Sequence, residues 1–172
     1  MIGLQRGKVK LVPYSKDWKV EFEKEKKKLE KILGENVISI EHIGSTSIPG
    51  MTAKPIIDVM IGVHNVKKAG TQCAKILDKL PKYFYRPFKY NERVVAKGDD
   101  FARTHYIHIV RHRGRMWNKQ ILFRDYLINH KKYSKKYADL KKYLSKKHGG
   151  IRKQYTKDKT IFIKDVLNRA GF

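Results

Sequence analysis

Residues 41–58 read Glu-His-Ile-Gly-Ser-Thr-Ser-Ile-Pro-Gly-Met-Thr-Ala-Lys-Pro-Ile-Ile-Asp, and this stretch contains the end of one predicted strand and the start of the next. The residues that lead into it, 37–43, alternate between two faces, a pattern that predicts a β-strand. Residues 55–63 are apolar on both faces except for Asp58, which predicts a strand that is covered on both sides. Because the segment between the two strands is short, we expect them to be neighbours in one sheet.

The turn between these strands has the composition of a phosphate-binding segment. Gly44 has no Cβ, so the backbone there can approach a ligand closely. The backbone N–H groups that follow, together with the hydroxyl groups of Ser45, Thr46 and Ser47, can surround a phosphate. The sequence therefore predicts an anion site where the first strand ends.

Asp58 is a lone carboxylate in an otherwise apolar strand. An unpaired charge in that position costs several kcal/mol, so the carboxylate needs compensation. Three explanations fit the pattern: an ion pair with a residue such as Lys54 or His108, a place at a wet sheet edge, or a bound metal ion.

The remaining pattern indicates a domain in which strands come first and helices follow. Apolar residues at helical spacing predict one helix between Ser15 and Gly34 and another after Asn65. Residues 83–85, 93–96 and 104–110 have the composition of strands, whereas residues from about 117 to 172 are helical in pattern throughout. We predict one α+β domain over residues 1–172, with a basic helical C-terminal region over about 117–172.

Composition and charge exclude several classes of protein. The chain has 172 residues, 40 Lys and Arg against 16 Asp and Glu, and a net charge of +24. Apolar residues make up 41% and aromatic residues 11%, too much for a disordered basic tail, and no apolar run is long enough to span a membrane. Residues 1–10 show no secretion signal and Cys73 is the one cysteine, so we expect a cytoplasmic protein without a disulfide, with Cys73 buried in the second helix.

The 41–58 stretch also resembles a known family. Gly44-Ser45 after a strand, a gap of twelve residues and Asp58 on the next strand resemble the pattern of the nucleotidyltransferase (polymerase β-like) superfamily. The longer string 42–58 resembles the GrpB family, a branch of that superfamily. Further features along nearly the whole chain resemble the same family: Pro13-Tyr14 with Trp18, Arg103-Thr104-His105-Tyr106-Ile107-His108, Phe123-Arg124-Asp125-Tyr126-Leu127, and Tyr155 with Lys159 and Phe162.

The resemblance implies a mixed β-sheet flanked by helices and a candidate metal site. In active members of the superfamily, two or three carboxylates hold two divalent ions that activate a hydroxyl for nucleotidyl transfer. Here Met60 stands where a second carboxylate would lie two residues beyond Asp58, and a thioether does not replace a carboxylate for Mg²⁺. The candidate metal ligands are Asp58 and Glu41, with Mg²⁺ or Mn²⁺ as the cofactor.

A second version of the metal site uses histidine. In it, Asp58 and either His108 or His42 hold a single ion, which favours Mn²⁺ or Zn²⁺ over Mg²⁺. His105 and His108 are three residues apart, so a regular strand directs them to opposite faces and they cannot share a site. A site without any metal is the remaining alternative.

The sequence leaves three functional hypotheses. The first is an enzyme that transfers a nucleoside monophosphate to an acceptor, with Asp58 and His108 as catalytic residues. The second is a nucleotide-binding or accessory module that has lost the metal site, and the third is binding of RNA or an acidic protein by the lysine-rich helices. The predicted nucleotide- or phosphate-binding residues are Gly44, Ser45, Thr46, Ser47, Lys54, Arg103 and Arg124.

Overall fold

The computed structural model describes residues 2–5, 7–86, 92–99, 101–148 and 152–172, and within them the chain forms one mixed sheet with helices on both faces. The six strands are β1 (Leu4–Gln5), β2 (Ser39–Ile43), β3 (Ile57–Val63), β4 (Tyr83–Arg86), β5 (Glu92–Gly98) and β6 (Ala102–Arg111). The α-helices are α1 (Asp17–Leu33), α2 (Thr71–Asp78), α3 (Arg115–Asn129), α4 (Lys131–Lys147), α5 (Arg152–Asp158) and α6 (Thr160–Arg169). Short helical turns cover Gly34–Asn36, Ser45–Ser47 and Val66–Gly70.

The strand order is β2-β3-β6-β5-β4, and β1 adds to β6. The strands β3 and β6 run parallel, whereas β2 pairs with β3, β5 with β6, β4 with β5 and β1 with β6 in antiparallel fashion. The predicted neighbours β2 and β3 are therefore paired, and β3 has a strand on each side. The predicted α+β class, with a sheet flanked by helices and a helical C-terminal part, is confirmed.

The first face of the sheet is covered by α1 and α2. Trp18, Phe22 and Leu29 of α1 pack with Val59 and Ile107 of the central strands in one buried cluster. Burying that much apolar surface is the main stabilising contribution to a domain of this size. Cys73 of α2 is fully buried in the same cluster, as predicted, and burial raises the pKa of its thiol to about 11.

The second face of the sheet is covered by the C-terminal helices. Met60 of β3 packs with Ile43, Val110 and Trp117, so α3 lies directly on the strands. A second cluster joins α3, α4 and α6 to the segment after β2: Ile48, Met51, Phe123, Leu127, Tyr137, Val166 and Leu167. A cavity stays open between this helical layer and the first residues of β3 and β6.

Among the described residues, no helix is both long and apolar enough to cross a membrane.

Met60 shares its face of β3 with Asp58 but is fully buried beneath α3. We predict that Met60→Asp lowers the free energy of unfolding by several kcal/mol, because it places a charge in this apolar cluster. Met60→Leu keeps volume and polarity and costs less than about 1.5 kcal/mol. Urea unfolding followed by circular dichroism measures both, and a Met60→Asp protein that regains full stability with Mg²⁺ would contradict the prediction.

Candidate functional site

The site begins where β2 ends against the start of β3. Ile43 pairs with Asp58 in the sheet, and Gly44 follows with φ 72°. A Cβ on Gly44 would lie 2.4 Å from Oδ2 of Asp58, a distance that no side chain can accept. Glycine is therefore required here both for the left-handed backbone and for the close approach of the carboxylate.

Beyond Gly44 the chain makes a single helical turn, Ser45–Ser47. The Ser47 hydroxyl donates to the Gly44 carbonyl oxygen at 2.6 Å and so closes the turn on itself. The Thr46 hydroxyl lies 3.0 Å from Nε2 of His42, which ties the turn to the strand. Gly44, Ser45 and Thr46 line the cavity, whereas Ser47 does not.

The cavity has a volume of about 500 Å³ and lies between the sheet and the C-terminal helices. The sheet side contributes Asp58, Tyr106 and His108, and the helical side contributes side chains from α3 to α6. Five basic side chains line it: Lys54, Arg103, Lys119, Lys141 and Lys159. Among the described residues, Asp58 is the one carboxylate in the lining, so the lining carries an excess of positive charge.

His108 lies between two carboxylates on neighbouring strands. Its Nδ1 is 2.6 Å from Oε1 of Glu92, and its Nε2 is 3.7 Å from Oδ1 of Asp58. Burial opposes a charge on the ring, but the two carboxylates outweigh it and raise the pKa of His108 to about 9. The imidazole is therefore protonated at neutral pH, and of the three sequence-based explanations for Asp58 the structure shows an ion pair with His108.

The donors around Asp58 do not fit a two-metal site. A protonated imidazole has no lone pair for a metal ion, and Met60 lies in the core. His42 is on the opposite face of the sheet, stacked on Phe22 with ring centroids 4.7 Å apart, and burial lowers its pKa to about 4. Within the described part of the chain, no group of three or more His, Cys, Asp and Glu side chains is placed to hold a metal ion. Binding of Mg²⁺ or Mn²⁺ stays a prediction.

Arg124 and Glu41 form an ion pair outside the cavity. The Arg124 guanidinium donates to Oε2 of Glu41 at 2.8 Å, to the His42 carbonyl at 2.9 Å and to Oδ1 of Asp125 at 2.7 Å. These bonds tie α3 to the end of β2. Sequence analysis placed Arg124 with the phosphate ligands and Glu41 with the metal ligands, and in the structure each is instead paired with the other.

Arg103, a predicted phosphate ligand, lines the cavity, and contacts with Phe84 and Asp99 hold its guanidinium group. Its guanidinium lies 4.5 Å from the Phe84 ring centroid and donates to the Asp99 carbonyl oxygen. His105 points to the opposite face, as the strand spacing predicts, and burial lowers its pKa to about 4. At neutral pH, His108 is thus protonated and His105 is neutral, although both lie on β6.

Sequence reasoning missed Glu92 and most of the helical wall. Tyr137, Lys141 and Leu144 of α4 are buried at i, i+4 and i+7 spacing. A lysine in phase with an apolar stripe was the available signal, because lysine is almost never fully buried without a reason. Tyr155 of α5 is buried beside them and lines the same cavity.

Gly44→Ala tests the close approach of the backbone to Asp58, with Gly50→Ala as its matched control. Gly50 has φ 75° and no atom within 4 Å of an added Cβ, so alanine there adds backbone strain alone, about 1–2 kcal/mol. Alanine at Gly44 adds a clash with the carboxylate, so we predict a loss larger by roughly 1–3 kcal/mol. If the two variants were equally stable to heat and to urea, the close approach of Gly44 to the Asp58 carboxylate would be contradicted.

The paired carboxylates predict how His108 titrates. Its pKa in the folded protein lies above the unfolded value of about 6.5, so the stabilisation, about 3 kcal/mol, is fully present below pH 6.5 and is lost as pH rises through 9. NMR titration of the imidazole should give a midpoint near 9. In Glu92→Gln the midpoint should fall by more than one pH unit. Glu23→Gln, with the same charge change on an exposed face of α1, should leave it unchanged.

The comparisons with known proteins agree on one family. The model of the family described as GrpB protein matches residues 8–169. The chain is 39% identical to the glutamate-rich protein GrpB of Alkalihalophilus pseudofirmus, over 98% of this chain and 99% of that protein. It superposes on the crystal structure of conserved protein GrpB from Enterococcus faecalis with a TM-score of 0.83 and 32% identity, over 94% of this chain and 96% of the other.

A more distant superposition is found on a cytoplasmic RNA terminal U-transferase, with a TM-score of 0.44 and 12% identity, over 76% of this chain and 44% of that one. The family match covers nearly all of the chain, including every residue that lines the cavity. The chain belongs to the GrpB family.

Proposed function

We propose that the cavity binds a phosphorylated ligand, a nucleoside triphosphate or a related phosphate ester. The observation that carries this proposal is the charge of the described lining residues: five Lys and Arg side chains and the protonated His108 face the single carboxylate of Asp58. Such a site repels cations and attracts phosphates, and its low-dielectric walls strengthen the attraction.

The phosphate end of the ligand is assigned to the segment that starts at Gly44. Gly44 has no Cβ to cover the backbone there, and the side chains of Ser45 and Tyr137 line the same cavity. Lys54 enters from the loop before β3 and Lys141 and Lys159 from the helical wall, so cations approach this end from two sides.

The remainder of the ligand is assigned to the apolar part of the same cavity. Ile56, Val94, Ala96, Phe123 and Ile163 contribute apolar surface there. Binding sites for small molecules combine such surface with a few placed polar groups. A nucleoside attached to a phosphate chain has both properties.

Binding without transfer is the function that the geometry supports best. The His108 imidazolium takes up the charge of Asp58 that a metal ion would otherwise use. Nucleotidyl transfer therefore stays a prediction that requires a different arrangement of His108. Binding of RNA or an acidic protein to the exposed lysines of α4 likewise stays a prediction.

A panel of ligands in a thermal-unfolding assay tests the proposal. The panel is ATP, GTP, UTP, CTP and inorganic tripolyphosphate, each in chelator and again with Mg²⁺ or Mn²⁺. A ligand at a hundredfold excess over Kd adds about 2.7 kcal/mol, which is a rise in Tm of about 5–10 °C for a chain of this size. We expect that rise without metal, and a smaller one at high salt because mobile ions screen the cations.

Comparing Lys54→Gln with Lys135→Gln distinguishes binding inside the cavity from attraction by the overall positive charge of the protein. Lys54 lines the cavity, whereas Lys135 is exposed on α4, and the two substitutions change the net charge equally. We expect Lys54→Gln to reduce the ligand-induced rise and Lys135→Gln to leave it intact. Equal effects would mean that the phosphate is attracted by net charge alone, and no rise in the wild type would refute the proposal.

A further inference from the structure

Lys141 is a fully buried lysine in the wall of the cavity. Its exposed fraction is 1%, although α4 carries seven other lysines in the same 17-residue helix. The ammonium group donates to the Thr52 carbonyl oxygen and lies 4.8 Å from the centroid of the Tyr137 ring. Both contacts favour a charged amine, but neither supplies a full negative charge.

Within the described part of the chain, the charged groups that act most strongly on Lys141 are of its own sign. Lys54 approaches from the loop before β3, and Lys159 approaches from the junction of α5 and α6, where its amine lies 4.6 Å from the Tyr155 ring centroid. Among the described residues, no carboxylate lies within 4 Å of the Lys141 amine. On the sheet side, Asp58 is paired with His108.

The acidic residues of the neighbouring helices are directed elsewhere. Asp139 is exposed on α4, and Asp158 of α5 pairs with Nε2 of His148 at 2.8 Å. Burial, followed by repulsion from Lys159 and Lys54, lowers the pKa of Lys141 to about 7. An ammonium group at this position is thus short of negative charge while the cavity holds no anion.

Resting on the proposed function, we propose that Lys141 couples the binding of a polyanion to proton uptake. In the empty cavity a large fraction of the molecules holds Lys141 as a neutral amine. When an anion binds between Lys54, Lys141 and Lys159, its charge offsets their repulsion, and the amine takes a proton from solvent to become a third cation for the ligand.

This coupling specifies the charge class of the ligand. A monoanion brings only one negative charge to the three amines of Lys54, Lys141 and Lys159. A terminal diphosphate or triphosphate brings two or more negative charges to the same place and makes charge-assisted hydrogen bonds with each amine. The inferred ligand therefore ends in a polyphosphate chain rather than in a single phosphodiester.

Calorimetric titration of the full chain with inorganic tripolyphosphate tests the coupling. Binding is measured at pH 7 in two phosphate-free buffers of different ionisation enthalpy, because the difference in heat gives the number of protons exchanged. The variants are Lys141→Arg, which keeps a permanent charge, Lys141→Met, and Lys142→Met, which removes an exposed lysine from the same helix. The ligand's own proton exchange is common to all of them.

We expect the wild type to take up about half a proton more per site than Lys141→Arg at pH 7. From pH 7 to pH 8, the wild-type Kd should rise about fivefold relative to that of Lys141→Arg. Lys142→Met should behave as the wild type does. Lys141→Met should bind more weakly and show no extra proton uptake. If the methionine variant does not fold, the comparison of the wild type with Lys141→Arg is sufficient to test the coupling.

The outcomes separate this inference from the proposed function. Binding of tripolyphosphate with equal proton exchange in the wild type and Lys141→Arg overturns the role of Lys141 and leaves the phosphate site standing. An absence of binding to the wild type overturns the proposed function and this inference together.

Discussion

The site depends on how one carboxylate is accommodated in an apolar strand. Asp58 sits where β3 enters the sheet, and its charge is met by His108 from the parallel neighbour β6. His108 is in turn held by Glu92 of β5, so three adjacent strands share two negative charges and one positive charge. Gly44 fixes the other side of the carboxylate, because any larger residue would collide with it. The register of four strands is thereby tied to one ionic cluster.

The helical layer has the opposite electrostatic character. Asp58, His108 and Glu92 together carry one net negative charge on the sheet side, whereas the helical side brings lysines to the lining of the cavity. Burying Lys141 in this wall costs folding free energy, because burial and the like charges of Lys54 and Lys159 both oppose a charged amine. Proteins accept such costs at binding sites, where a ligand supplies the missing charge. Under the proposed function, the cost of burying Lys141 and the attraction for an anion thus have the same origin.

The sequence was sufficient for the fold and for part of the site, and the reason is physical. The strands β2 and β3 carry their periodicity in local sequence, and the turn between them is too short to separate them, so Gly44, Ser45 and Asp58 had to meet. Arg124 and Glu41 are different, because any basic or acidic side chain near a predicted site is a candidate ligand until its tertiary partner is known. Their mutual ion pair is a contact between residues 83 positions apart, and no local pattern encodes it.

The same limit explains why Glu92 and Lys141 were not recognised in the sequence. Glu92 becomes relevant only because β5 pairs with β6 and brings it to His108. Lys141 could have been recognised, since it lies in phase with Tyr137 and Leu144, but the twelve basic residues in 131–159 concealed the one that is buried. A high net charge thus obscures the few charges that matter for binding. Salt largely screens interactions between exposed charges that lie more than about 10 Å apart, whereas interactions of buried charges are screened much less. For the proposed phosphate site, we therefore expect an attraction that persists under conditions in which the field of the remaining surface is largely lost.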